Sequence, residues 1–376
     1  MAEIVITDRN DFEHFSKIRT IARDENGECL SCAWSTYTRS SFGNEMLNTV
    51  CTGGVSTPVE NRRGGNVRRI FDYIHTFAAE EEDCAVSLLH PFSFAYYRKF
   101  GYEKVSDTTI VEFPTRYIDF VARRCKFVQY DDSKLNDMLY IYREFAKSRN
   151  LLLQRFDNTF YNTKSNSPNE TKHCYICYDD NGNPMAYIVY TIYKELYVNH
   201  YINTWLTVNE MAYTSAEALR EIFSFLRMYE GECDMIRLTD LSIYSEVELL
   251  LKNYTHTSYK SVPDLMARVL NTEKMLNAQA YPIREGEFTV KIVDVMPSVA
   301  GTFKVSFGAG EHTVKRVDTA APDLTLEVGT FARLIYGYDG LTQERAKYLD
   351  GIDIHNNCED FFRAFPKKPC GAFEHF

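Results

Sequence analysis

Residues 56–69 read STPVENRRGGNVRR, between a strand-like run, MLNTVCTGGVS, and a helix-like run, NVRRIFDYIHTFAA. A helix N-terminus presents backbone N–H groups that lack helical partners, together with the positive end of the helix dipole. Glycines let an anion approach that backbone closely. Arginines add charge and paired donors. Arg62, Arg63, Gly64, Gly65, Asn66 and Val67 therefore form a candidate cradle for a pyrophosphate. A tight surface turn with solvated arginines would use the same residues, and the loop alone leaves both readings open. It has neither the G-x-x-x-x-G-K-S/T spacing of a P-loop nor a G-x-G-x-x-G fingerprint.

A second chemical candidate is the set of ten cysteines, which includes two C-x-x-C pairs, Cys29/Cys32 and Cys174/Cys177. Four thiolates so spaced are a zinc pattern. Both pairs, however, lie in strand-like runs, ECLSCAWSTY and HCYICYDD. In a straight strand residues i and i+3 point to opposite faces. The expected state is buried, reduced thiols and no metal.

Net charge is −10. That lacks the basic footprint of a nucleic-acid binder. It suits a cationic small molecule, although solubility alone accounts for it. Hydrophobic residues make up 45% and charged residues 25%, as in ordinary globular proteins. The 26 Tyr and 25 Phe favour strand-rich folds. No run approaches the ~18–20 apolar residues of a membrane span, and MAEIVITDRND does not have a signal-peptide layout. A cytoplasmic protein is expected.

The 376 residues imply two or three domains. In a first block, residues 10–16 read as a short helix. IRTIAR and ECLSCAWSTY read as a hairpin turned at Asn26-Gly27. After the arginine-glycine loop, Val67, Ile70, Phe71, Ile74, Phe77 and Ala78 recur with helical period. CAVSLL reads as a buried strand, expected to lie parallel to the strand before the loop. PFSFAYYRKF reads as a helix stopped by Gly101, and residues 103–113 as a last strand. A second block repeats this order: helix KLNDMLYIYREFAK, hairpin HCYICY/MAYIVYT, helix SAEALREIFSFLRMY, strand MIRLT and helix SEVELLLK. It reads as an internal duplication, but its junction, LTVNEMAYTS at 206–215, has no glycine pair and no arginine. A third block opens with MARVLNTEKML, continues with strands EFTVKIVDV, TFKVSF and EHTVKRV and helix TFARLIYGY, and ends FPKKPCGAFEHF.

This order of elements, with YRKFGY, resembles the GNAT superfamily of acyl-CoA N-acyltransferases. There the loop after the fourth strand binds the pyrophosphate of coenzyme A. The family pattern R/Q-x-x-G-x-G/A reads Asn61-Arg62-Arg63-Gly64-Gly65-Asn66 here, departing at Asn61 and Asn66. GGVSTPVENRRGG, SLLHPFSFAYYRKFGYE, LMARVLNTEKML and the terminal Phe extend the resemblance over nearly the whole chain, to the Eis-type (enhanced intracellular survival) acetyltransferases. The resemblance implies two tandem GNAT-like domains, each a mixed sheet flanked by helices, and a C-terminal α+β domain like sterol carrier protein 2. The corresponding boundaries are 1–125, 126–265 and 266–376.

It also implies acetyl transfer from acetyl-CoA, as cosubstrate and without a metal, to an amine of a small molecule or peptide: an aminoglycoside, another polycation or a lysine. Acetyl-CoA is expected at Gly54, Val55, Ser56, the loop residues Arg62 to Val67, Phe92 and Ser93. Backbone N–H groups near Gly54–Ser56 are candidates to face the developing oxyanion. Tyr97 occupies the tyrosine position of Y-x-x-x-G and is the expected general acid, its reference pKa of about 10 keeping it protonated at neutral pH. Tyr96 points about 100° away on a helix. The expected general base is the main-chain carboxylate of Phe376, which a closed site must make more basic. His90 and His375 are alternative bases. A homo-oligomer, up to a hexamer, is expected. A non-enzymatic acetyl-CoA sensor or an apolar-ligand carrier on the same scaffold is the competing reading.

Overall fold

The computed structural model describes residues 3–119, 124–156, 171–196, 202–318 and 321–376. The chain opens with β1 (Glu3–Asp11), β2 (Ser16–Arg23), β3 (Cys29–Phe42), β4 (Glu45–Ser56), α1 (Asn66–Glu80), β5 (Val86–Leu89), α2 (Phe94–Arg98) and β6 (Glu103–Lys104). Next come β7 (Asp107–Pro114), β8 (Lys126–Gln129), α3 (Leu135–Ala146), β9 (Thr171–Tyr178), β10 (Pro184–Leu196), β11 (Ile202–Tyr213), α4 (Ala216–Arg227), β12 (Met235–Leu238) and β13 (Ser258–Pro263). The last part holds β14 (Met266–Val269), α5 (Thr272–Ala278), β15 (Gly286–Val293), β16 (Gly301–Gly308), β17 (Glu311–Val317), β18 (Leu324–Glu327), α6 (Val328–Tyr336), α7 (Gln343–Ala346), β19 (Ile352–Ile354) and α8 (Glu359–Ala364).

The strands make three mixed sheets, ordered β1-β2-β3-β4-β5-β14-β6, β13-β7-β12-β11-β10-β9-β8 and β17-β16-β15-β18-β19. The fold is α+β, with helices flanking each sheet. By contacts the chain forms two compact units. One holds residues 1–106, 149–154 and 264–376; the other holds 107–148 and 155–263.

Much of the local reading holds. α1 buries Ile70, Phe71, Ile74 and Ala78 completely, the face its period marks. Gly27 turns the β2–β3 hairpin at φ 84°. β4 and β5 are parallel, with Thr49 opposite Val86 and Cys51 opposite Leu88. Gly101, at φ 82°, follows the helix turn as expected.

Three elements differ. Residues 10–16 form no helix: β1 and β2 pair antiparallel, and Phe12 N–H donates to Phe15 O (2.9 Å) in the turn between them. Phe12 and Phe15, whose i, i+3 spacing also fits a helix, stack across that turn at 4.4 Å. SEVELLLK forms only a 3₁₀ turn, Ser245–Leu249. Residues 103–113 are two strands: β6 pairs with β14 in the first sheet, whereas β7 pairs with β12 and β13 in the second. The break falls at the buried Ser106, and the returning chain closes on it, Asp264 N–H donating to Ser106 O and Val105 N–H to Leu265 O. Four polar residues, Ser106 to Thr109, mark the break in sequence, but nothing local says that the two halves join different sheets.

β14 also explains Gly101 more fully. Its Arg268 donates to Phe100 O (3.0 Å) and pairs with Asp294 (2.8 Å). A Cβ at Gly101 would lie 1.7 Å from the Arg268 guanidinium. The third sheet shares one core with the first: Phe288, Phe303, Phe331 and Phe361 pack in one cluster with Val86, Leu88, Ala267 and Val269.

Candidate active site

α1 begins at the arginine-glycine loop. Gly65 is its N-cap residue, left-handed at φ 74°, and supplies no side-chain cap. The first turn holds no acidic residue. Asn66 turns its side-chain oxygen to Arg69 (2.7 Å) instead of to the helix end. Arg63 is also left-handed, φ 66°, a conformation that costs a non-glycine residue about 1 kcal/mol or more. The loop fronts a cavity of about 670 Å³ lined by Val55, Arg62, Arg63, Gly64, Gly65, Asn66, Val67 and Phe92. Ser31, Thr57, Asn61, Arg68, Tyr96, Lys99 and Phe100 complete the wall. Arg68 lies over Phe100 and donates to Lys99 O (3.0 Å). The cavity thus joins helix-end N–H donors and several cations to an apolar wall.

β4 forms another side of the site. Its pairing with β5 ends at Cys51–Leu88. Beyond it, Thr52, Gly53 and Ser56 still pair with β3, through a bulge between Gly53 and Ser56. Gly54 sits there at φ 56°, where an added Cβ would be 3.0 Å from Trp34. This stretch of β4 therefore has an edge no described strand covers, the kind an extended arm can pair with.

The C-terminal tail ends against the same strand. Asn150 N–H donates to Pro369 O, Gly371 N–H donates to Asn150 O, and Lys368 donates to Gly43 O. Asn150 also bridges Gly43 N–H and Tyr336 O (both 3.1 Å). From these anchors the tail reaches Gly53, where an added Cβ would lie 2.5 Å from the carboxylate carbon and a carboxylate oxygen of Phe376. His90, just after β5, meets Asp264 with Nδ1 (3.0 Å) and Glu374 O with Nε2 (3.1 Å). Its ring packs 4.8 Å from the rings of both His375 and Phe376.

Tyr97 lies on α2, 3% exposed, in a cluster with Phe71, Leu89, Phe100, Tyr102 and Met266. Burial, with a smaller contribution from Tyr96, pushes its phenol up to about 12. Tyr96, not Tyr97, lines the cavity. Ser93 caps α2, its hydroxyl accepting from Tyr96 N–H (3.4 Å). Ser93, Gly54 and Ser56 stand outside the cavity wall.

The cysteine expectation needs correction. The β2–β3 register passes from Ala22–Ser31 to Arg23–Cys29, skipping Leu30. This bulge brings the two thiols of the pair toward each other: burial, and then the neighbouring Cys32, pushes the Cys29 thiol up, and Arg19 faces both. Cys29 is exposed rather than buried. Cys174 and Cys177 are both buried. Among the described residues no group of three or more His, Cys, Asp or Glu is placed to hold a metal ion.

Residues 7–105 match the acetyltransferase (GNAT) domain, residues 151–269 match a second acetyltransferase (GNAT) domain, and residues 272–369 match the sterol carrier protein domain. The chain carries two acetyltransferase (GNAT) domains followed by a sterol carrier protein domain. No curated protein matches it in sequence. Among solved structures it resembles a GCN5-related N-acetyltransferase from Anabaena variabilis, with 18% identity, TM-score 0.79, and 95% of this chain and 89% of that one covered. It also resembles Eis1 from Mycobacterium abscessus (17%, TM-score 0.77, 95% and 91%). A third is a probable N-acyltransferase from Enterococcus faecalis (18%, TM-score 0.75, 96% and 90%). At these identities the likeness is one of fold.

GNAT domains imply acetyl-CoA as cosubstrate, and the first domain's cavity fits such a molecule: an uncapped, acid-free helix N-terminus ringed by arginines for the diphosphate, and an apolar wall and free strand edge for the arm. Sequence reasoning missed Arg68, Lys99 and Ser31 in the wall, and Asp264 beside His90. For Arg68 a signal existed, since it lies one position beyond the loop. Nothing local ties Asp264 to His90, 174 residues apart.

Proposed function

We propose that this GNAT protein transfers the acetyl group of acetyl-CoA to an amine of a small polycation or a lysine-containing peptide, using the first GNAT domain and the C-terminal carboxylate. One observation carries the reading: β4 presents Gly53 to the Phe376 carboxylate and, two residues on, Val55 to the wall of the arginine-lined cavity.

The division of labour follows from the residues. The α1 N-terminus with Arg62 and Arg63 anchors the diphosphate. Backbone N–H groups at the Gly54–Ser56 bulge face the carbonyl oxygen as it gains charge. The Phe376 carboxylate, set against Gly53, takes the proton the attacking amine loses. Tyr97, still protonated far above neutral pH, gives a proton to the departing sulfur. None of the ten cysteines is in a disulfide, which supports a reducing, cytoplasmic setting. Oligomerisation is part of the proposal through the Eis-type resemblance alone.

The test is release of free CoA thiol from acetyl-CoA in the presence of aminoglycosides, polyamines and lysine peptides. Wild type should release thiol only with an accepted amine. Tyr97→Phe should lower kcat about 10²- to 10⁴-fold while CoA affinity stays within about twofold. No amine-dependent release, or a Tyr97→Phe protein with wild-type kcat, overturns the reading.

A further inference from the structure

The His90 contacts fix more than a neighbour list. A main-chain carbonyl only accepts hydrogen bonds, so the Nε2 that meets Glu374 O at 3.1 Å must carry a proton. The opposite nitrogen, Nδ1, meets a carboxylate oxygen of Asp264 at 3.0 Å. An ionised carboxylate also only accepts. Both ring nitrogens are therefore engaged, Nε2 by a main-chain carbonyl and Nδ1 by a carboxylate, and neither is open to an incoming amine. This geometry removes His90 from the candidate bases and gives it another task.

We propose that His90 is a positioning residue, a ring that ties Asp264 to the main chain at Glu374 and so holds the terminal carboxylate of Phe376 at Gly53. The proposal rests on the reading of that carboxylate as the base. The fold supplies each part. His90 directly follows β5, and Asp264 lies two residues before the start of β14. The antiparallel register, Met266 opposite Leu89, brings the two together. Their side chains are 17% and 21% exposed, so the pair is sheltered without being cut off from solvent. The grip falls two residues before the chain end, and the rings of His375 and Phe376 pack against the imidazole. Asp264 meets the imidazole through its carboxylate, Glu374 through its main-chain carbonyl, and His375 and Phe376 through their rings. A chain end is ordinarily frayed; here a charge-assisted pair on one side and Gly53 on the other leave it one position. Gly53 is the second half of the device, because any side chain there would occupy the place of the carboxylate.

The experiment uses the full chain and three readouts. Release of the C-terminal Phe by carboxypeptidase Y under native conditions reports how well the tail is held, with no turnover needed. Thiol release from acetyl-CoA reports kcat, and calorimetric titration reports CoA affinity. Asp264→Asn and His90→Ala should each speed Phe release and lower kcat about tenfold or more, the loss of one charge-assisted hydrogen bond, with CoA affinity within about twofold. His90→Gln, which can still donate to Glu374 O, should recover part of both. Gly53→Ala should speed Phe release with His90 untouched. Unchanged Phe release in both Asp264→Asn and His90→Ala overturns the proposal. So does a fall in kcat with the tail still protected, which would make His90 a chemical participant. Asp264→Asn is isosteric and keeps the test open should His90→Ala not fold. If wild type acetylates no amine, the enzyme reading fails, yet the carboxypeptidase arm still decides whether His90 holds the tail.

Discussion

The two GNAT domains follow one plan and differ where chemistry would happen. Each has a hairpin, a strand with one extra residue, a helix and a parallel strand: β3–β4–α1–β5 in the first, β10–β11–α4–β12 in the second. In the first, Gly65 leaves the α1 N-terminus uncapped and arginines surround it. In the second, Ser215 accepts from Ala218 N–H (3.1 Å) at the start of α4, and Glu217 occupies the first turn. A side chain has taken the place of an anion, and a negative charge repels one. The bulges differ in the same sense. The first bears Gly53, which admits the terminal carboxylate. The second bears Glu210, which fills its place with a buried pair to Arg155 (2.5 and 3.0 Å) and accepts from Tyr187. In the second domain, internal contacts occupy the helix end and the bulge that stand open in the first.

This contrast can be broken at several points. The largest effect is expected at Glu210. Glu210→Ala removes the carboxylate paired with Arg155, whose side chain is 1% exposed, and should destabilise the protein by about 3–5 kcal/mol in urea unfolding. A change below about 0.5 kcal/mol would mean the pair does not stand in for a ligand. Next is the cradle. Gly64→Asp puts a carboxylate where the diphosphate would lie; its Cβ has ordinary space, 3.5 Å from the nearest atoms. It and Arg63→Ala should weaken CoA binding about 10- to 100-fold. Ser215→Gly with Glu217→Gln in the second domain should leave CoA affinity unchanged. Equal effects in both domains would erase the distinction.

The smallest effect contrasts the polar cores. The first domain buries a neutral network, His75 to Tyr102 (2.9 Å) and Tyr102 to Ser87 (2.6 Å). Burial, then Arg268, holds His75 well below the usual histidine range. The unfolded chain takes up a proton near pH 6.5 that the folded chain refuses, so this contribution is complete above that pH. It shrinks as pH falls, by at most about 1.4 kcal/mol per pH unit. His75→Gln should flatten this acid limb in a stability–pH series, and an unchanged limb would place the titration elsewhere.

The sequence by itself determined what neighbouring residues decide. The period of Ile70, Phe71, Ile74 and Ala78 marked α1 and its buried face. Asn26-Gly27 marked a hairpin, and the glycines and arginines at 62–65 marked an open helix end, because turn chemistry and helix-end donors are local properties. The family resemblance added Tyr97 and the terminal carboxylate as candidates. Local pattern misled where one spacing served two structures, as with Phe12 and Phe15, or the straight-strand argument at Cys29 and Cys32, undone by a bulge. Only the tertiary structure decided that β14 returns to the first sheet, that Asp264 meets His90, and that the last residue of the chain comes to rest on Gly53. These meetings depend on which distant surfaces bury each other in a shared core, and no short window of sequence carries that information.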